Sequence, residues 1–430
     1  VNDVKNNSNR SAIQPMTVLL LSATIGVGWW FSRPPAGPGR GLEDSTTGIS
    51  SRTKASERSA PDPARDRRRQ EAISMAAQQW YEELLVKYPQ MQPTYRDVPD
   101  GQNGFLQFLL FAESQKEPKL PDDLNAMRMG DSPWNPGKLK QWLAENKDYF
   151  DQILHLAELP EHSIKGVDFG RLANERGRFG SEFGYILTSA ARLAFEEGDQ
   201  ESALRYGKAA ISLSNHFTDI EVPSILGAVI AEGIRVSARE SFLENILPGL
   251  ANDPQALASW REALFRKEGP ASEVARVLSG EWNVMMREYI LPAQLGKHPA
   301  TPGEISFQVP DSEAFFDCYT AATEKLAASL LSSGPDRYNL TQSELEFPES
   351  GIDPQTLQML RDAGLLYRGI FNSLGVNITN AAMISAAVAV QLGEEPGIDP
   401  VSGKRFEWDP KSRTLSCPEG VDGHDPIKLR

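Results

Sequence analysis

The chain has 430 residues, with 44 Lys/Arg against 58 Asp/Glu, a net charge of −14 and a pI near 5.0. That length buries a substantial core, and the acidic balance excludes a general nucleic-acid binder, which shows a basic face or stripe. Two cysteines, Cys318 and Cys417, exclude a disulfide scaffold and a zinc site built on thiolates. With only five histidines, no metal or cofactor is expected.

Charge is unevenly spread. Residues 1–70 carry 11 basic against 6 acidic side chains, and residues 71–430 carry 33 against 52, a net of −19. Such asymmetry marks a tail with its own partner, often an anionic membrane surface. After an N-terminal tail (1–10), residues 11–31 (SAIQPMTVLLLSATIGVGWWF) hold no charge. About 20 residues at ~1.5 Å each span a hydrocarbon layer of roughly 30 Å, and Trp29 and Trp30 suit the membrane–water interface. We read 11–31 as a single-pass anchor in a lipid bilayer. The competing reading is a cleaved signal peptide, but no A-x-A site follows. Lys5 and Arg10 before the span balance Arg33 and Arg40 after it, so charge fixes no orientation. Val1 fits a start codon read literally, and Met16 is an alternative start. Residues 32–66 are rich in Pro, Gly, Ser and Thr and read as a disordered linker.

From residue 67 a helical period takes over. Ala72, Met75, Ala76, Trp80 and Leu84 recur at three- and four-residue steps. Phe105 to Phe111 is apolar nearly all round and predicts a deeply buried helix. Asn135-Pro136 is an N-cap with Pro in the first turn, starting one helix that ends before Pro160. Further helices are predicted near 171–197, 200–217, 222–247, 254–267, 271–295, 311–333, 353–373 and 378–391. Lys404–Trp408 and Arg413–Cys417 flank a turn and predict a small hairpin. The expected fold is mainly α: an α-helical domain over 67–395 and a C-terminal β-hairpin tail over 396–430.

Motifs for chemistry fail. Ser402-Gly403-Lys404 lacks the first glycine and the Ser/Thr of a phosphate loop, and no G-x-S-x-G or H-E-x-x-H occurs. Nothing singles out a catalytic pair among Glu281, Glu288, Glu344 and Glu346.

One local signal stands out. Leu187–His216 reads as two helices joined at Gly198-Asp199, with Ala190, Ala191 and Ala194 facing Ala203 and Ala210. Small side chains let helix backbones approach, and glycine ends a helix in the left-handed conformation. The segment resembles one tetratricopeptide hairpin: Gly198, Ala203 and Ala210 match that motif's glycine and alanines. It departs where the motif has a bulky aromatic, here Gly207, and no copy recurs 34 residues on. The resemblance implies an array of antiparallel helix hairpins. Arg192, Glu196, Glu197, Gln200, Glu201, Arg205 and Lys208 are then left as a candidate interaction surface.

The order of anchor, linker, helices and a closing Asp399-Pro400-Val401-Ser402-Gly403-Lys404 is similar to a family of membrane-anchored helical proteins of planctomycete and verrucomicrobial bacteria. The D-P-x-x-G tail is also similar to the C-terminal hairpin of pseudopilins. These likenesses imply architecture rather than chemistry. They place the protein in the bacterial inner membrane with its helical domain in the periplasm. The expected function is an interaction or scaffold protein without catalysis, whose partner is another protein, favoured by the −19 charge to be basic. The alternatives are an all-helical cell-envelope enzyme using carboxylates and a secretion-associated subunit.

Overall fold

The computed structural model describes residues 63–114, 120–129, 131–167, 177–265, 270–295, 312–331, 354–419, 421 and 424–429. The expected tail (1–10), the expected anchor (11–31) and residues 32–62 of the expected linker (32–66) lie outside the described residues. The protein is mainly helical, with one small antiparallel sheet. Its described residues divide into two units, with chain boundaries at Pro89/Gln90, Val284/Met285 and Ser312/Glu313.

In the first unit, α1 (Pro63–Lys87) opens on a proline, whose missing N–H costs a first turn nothing. It therefore begins four residues before the expected start. Its buried face is Ile73, Ala77, Tyr81, Leu84 and Tyr88, whereas Met75 is 74% exposed. The expected stripe is rotated by about one position: Ala72 and Ala76 are exposed and Trp80 is half-buried, while Ile73, Ala77 and Tyr81 are buried and only Leu84 is shared. α1 packs on a π-helical stretch, Met285–Ile290, and on the short α11 (Leu291–Gln294).

The second unit holds α2 (Gly104–Ser114), α3 (Asp122–Met129), α4 (Pro136–Glu145), α5 (Lys147–Glu158), α6 (Gly177–Glu196), α7 (Gln200–Thr218), α8 (Ile225–Ser241), α9 (Pro254–Leu264), α10 (Pro270–Val284), α12 (Ser312–Leu331) and α13 (Pro354–Gln391). Four starts carry side-chain caps, the expected one at Asn135 among them. Asn135, Asp199, Ser224 and Asp253 accept from the amides of Lys138, Ser202, Gly227 and Ala256 at 2.9–3.1 Å.

Two boundaries differ from expectation. The helix after Asn135 breaks at Asn146, whose φ of −117 leaves the helical range and whose side chain joins its own backbone N–H on the Trp142 carbonyl, at 2.8 and 2.9 Å. Conversely, the two helices expected over 353–391 are one. Gly375 alone does not end α13, because Leu374 and Ile378 pack on the buried Val274, Leu278 and Leu326 and keep the apolar face continuous. In the tail, β1 (Glu407–Asp409) pairs with β2 (Thr414–Ser416), and β3 (Ile427–Lys428) adds a third strand.

α6, α7 and α8 pack against one another, with α5 and α9 beside α7, α4 beside α6, and α10 beside α8. Glycines set how closely they approach. A Cβ at Gly184 would stand 2.6 Å from Ile234, and one at Gly207 2.5 Å from the Trp260 ring. The aromatic missing at position 207 is thus supplied by α9. Gly280 is tighter still, since a Cβ there would collide with the Pro223 carbonyl oxygen. Side chains can rotate away, but backbone cannot. Gly207→Ala is expected to cost about 1–3 kcal/mol, the range for overpacking, and Gly280→Ala to cost more. Urea unfolding of the two variants checks the order.

Candidate functional site

The α6–α7 hairpin forms as its sequence suggests. Gly198 has φ +84 and Asp199 N donates to the Ala194 carbonyl at 2.9 Å, closing α6. Ala190, Ala191, Ala194, Ala203 and Ala210 are all buried. On its outer side, four of the seven candidate surface residues are engaged within the chain. Arg192 lies over the Trp134 ring at 4.1 Å and pairs with Glu196 at 2.8 Å, and Trp134 donates to Glu196 at 2.9 Å. Glu197 meets Lys140 at 2.6 Å, and Arg205 grips Glu158 with two bonds of 2.6 and 2.8 Å. Gln200, Glu201 and Lys208 remain on the exposed face of α7.

The densest polar chemistry lies inside, around the α7–α8 connection. Arg235 of α8 is 4% exposed and donates to Ser214 at 2.9 Å, Thr218 at 2.8 Å and Glu273 at 2.6 Å. Glu232 stands 3.6 Å from Arg235 and 3.5 Å from Arg239. Burial works against the Arg235 charge, but Glu273 and Glu232 outweigh it and hold the guanidinium firmly protonated. Glu221 follows the same logic with opposite sign. Burial pushes its carboxyl up, but the amides of Ile164 and Arg96, each 2.9 Å away, hold it below the usual range. Glu281 caps α8 by accepting from the Ile225 amide at 2.9 Å, although burial still raises its pKa.

The tail motif is a closed turn. Asp399 is fully buried and accepts from Thr379 Oγ1 and the amides of Val401 and Ser402 at 2.8–3.1 Å. Gly403 takes φ +70, and Lys404 Nζ donates to the Glu419 carbonyl at 2.9 Å. D-P-x-x-G-K therefore docks the tail on α13. His424 meets Asn380 at 2.6 Å and the Cys417 thiol meets Met383 at 3.6 Å, reinforcing that contact.

Cys318 and Cys417 are both free. Among the described residues, no three His, Cys, Asp or Glu side chains gather as a metal site. Trp142, Trp260 and Trp282 are buried core residues. Sequence reasoning missed the pairing of His162 with His216, whose rings lie 4.4 Å apart, because 54 residues separate them and no local period links them.

One described helical segment, Ser373–Gln391, is long and apolar enough to cross a membrane, and half of it is buried within the fold. The chain matches no protein-family model, no curated protein and no solved structure.

Glu240, near the end of α8, is raised to about 7 by burial and by Glu244 one turn on. An unfolded Glu titrates near 4.3, so the native state favours the protonated form. This site therefore takes stability away as pH rises from about 4.5 through 7, and is silent below both values. Each pKa unit is worth about 1.4 kcal/mol, so the ceiling is about 3.5 kcal/mol. Glu240→Gln is expected to stabilise the protein at pH 8 by up to that amount and to change nothing at pH 4. Denaturant melts at the two pH values measure the difference.

Proposed function

We propose that the protein is a membrane-anchored helical interaction or scaffold protein of the bacterial cell envelope, without catalysis of its own. The observation that carries this reading is the placement of helices two apart in the chain side by side, α4–α6–α8–α10 and α5–α7–α9. Layers of this kind are how tetratricopeptide-like arrays extend, each hairpin burying the face of the one before and leaving an outer face for a partner.

The polar groups support a binding role more than a chemical one. Arg235, Glu221, Glu281 and Asp399 are each committed to hydrogen bonds that hold helix ends and connections. The exposed Gln200, Glu201 and Lys208 on α7 are the part of the candidate surface best placed to meet a partner. With 52 acidic against 33 basic side chains beyond residue 70, that partner is a protein with a basic patch, bound more weakly as salt rises. The anchor at 11–31 holds the protein at the inner membrane, and the helical domain faces the periplasm.

The test uses the full-length chain in its own membranes. It should stay with carbonate-washed membranes, and crosslinking should capture a basic protein at low salt and less of it at high salt. Gln200→Lys combined with Glu201→Lys should remove that capture. Full-length protein in the soluble fraction, or capture unchanged by the double variant, overturns the reading. So does turnover of a cell-wall polysaccharide by the purified chain.

A further inference from the structure

Three segments meet at an edge-to-face pair of histidines. His216 on the last turn of α7 is fully buried, and His162 in the connector after α5 is 4% exposed. Their rings cross at 74°. His216 Nδ1 donates to the Leu213 carbonyl at 3.2 Å, which leaves Nε2 as the lone-pair nitrogen. That Nε2 is buried with no hydrogen-bond partner. It faces Gly104, the first residue of α2, where a Cβ would collide with it and lie 3.2 Å from His162 Nδ1.

Around the pair, the connector is tied to its neighbours by directed bonds. Gly104 N donates to the Glu161 carbonyl at 2.8 Å. Asn103 and Ser163 exchange two bonds of 2.8 and 3.1 Å, and the Arg96 guanidinium donates to the His162 carbonyl. Among the described residues, the charged groups on the surrounding elements give a proton on His216 no counter-charge. Arg96 is itself cationic. The Glu221 carboxylate accepts from Arg96 and from the Ile164 amide, and Asp219 meets Arg276 at 3.4 Å. Lys165 is paired with Asp97.

We propose that the His162–His216 pair is an acid-sensitive latch: neutral, it clamps the connector Leu159–Val167 between α2 and α7, and a proton on His216 Nε2 releases that connector while the helix layers stay folded. Among the described residues, the closed site holds no carboxylate for the new charge. Burial, then the neighbouring His162, holds the His216 pKa well below its ordinary value. The opened form binds the proton at an ordinary histidine pKa of about 6.5. Opening therefore rises about tenfold for each pH unit below that value.

The test is hydrogen exchange on the full chain at pH 7.5, 6.5 and 5.5, corrected for intrinsic exchange rates. Amides of 161–167 and 103–107 should open about tenfold more at pH 5.5 than at pH 7.5, and about fivefold more than at pH 6.5, while α9 amides do not change. Loss of the Glu221 contacts does not mimic this, since that carboxyl ionises below the window. Global melting is the wrong readout, because Glu240 gains stability as pH falls over the same range. His216→Asn keeps a donor for the Leu213 carbonyl and cannot titrate, and should flatten the profile. A flat wild-type profile below pH 6.5, or an unchanged slope in His216→Asn, overturns the latch. Should that variant not fold, imidazole NMR of the wild type decides. A His216 ring that titrates near pH 6.5 with the connector still protected rejects the proposal, and one that stays neutral until the connector opens supports it.

Discussion

Burying the Arg235 guanidinium constrains the whole second unit. A charge taken out of water costs several kcal/mol even after relaxation, and the cost is offset only where geometry is good and every donor is answered. Here α7 supplies Ser214 and Thr218, α10 supplies Glu273, and α8 itself supplies Glu232. Sliding α8 along α7 would strip the guanidinium of Ser214 and Thr218, and sliding it along α10 would part it from Glu273, while Glu232 moves with it. Apolar packing alone tolerates such slips, because Ala and Ile faces are nearly interchangeable by one turn. The ionic cluster adds less to stability than to register, and the glycine contacts at Gly184 and Gly280 then fix the separation.

The ends of these helices follow from the same need to answer buried polar groups. Ser224 caps α8 from within the chain, and Glu281 reaches the next amide from α10, so the start of α8 is held from two sides. Glu221 does the equivalent for the connector after α5. Asp399 does it for the tail, where an Asx turn and a left-handed Gly403 fold D-P-x-x-G-K back on Thr379. A lysine and glycine that superficially suggest phosphate binding are thereby a docking turn.

What was legible in the sequence was local. Asn135-Pro136 and Gly198-Asp199 announce helix ends through groups within three residues of each other, and the structure uses them as read. What was not legible depends on partners far along the chain. Arg235 looks like part of a solvated face until Glu273, 38 residues on, turns it into a core residue. Arg192, Glu196, Glu197 and Arg205 look unused until Trp134, Lys140 and Glu158 arrive beneath them. Asn146 breaks a helix that periodicity carries straight through, with its side chain and its backbone N–H both on the Trp142 carbonyl, a contact that a hydrophobic pattern does not record.

Two proton-linked sites lie at the C-terminal ends of adjacent helices and pull in opposite directions. On acidification from about pH 7, Glu240 at the end of α8 sheds a charge that burial and Glu244 both disfavour, so α8 is held more firmly. Over part of the same range His216, at the end of α7, resists gaining a charge that burial disfavours. Burial acts on both, but one group is neutral when protonated and the other when deprotonated. Their effects on total stability partly cancel, yet they fall on different segments: α8, which carries the ionic cluster, and the connector that closes over α2. A fall in pH therefore redistributes stability within the second unit, tightening the part that sets helix register and loosening a segment whose release leaves that register intact.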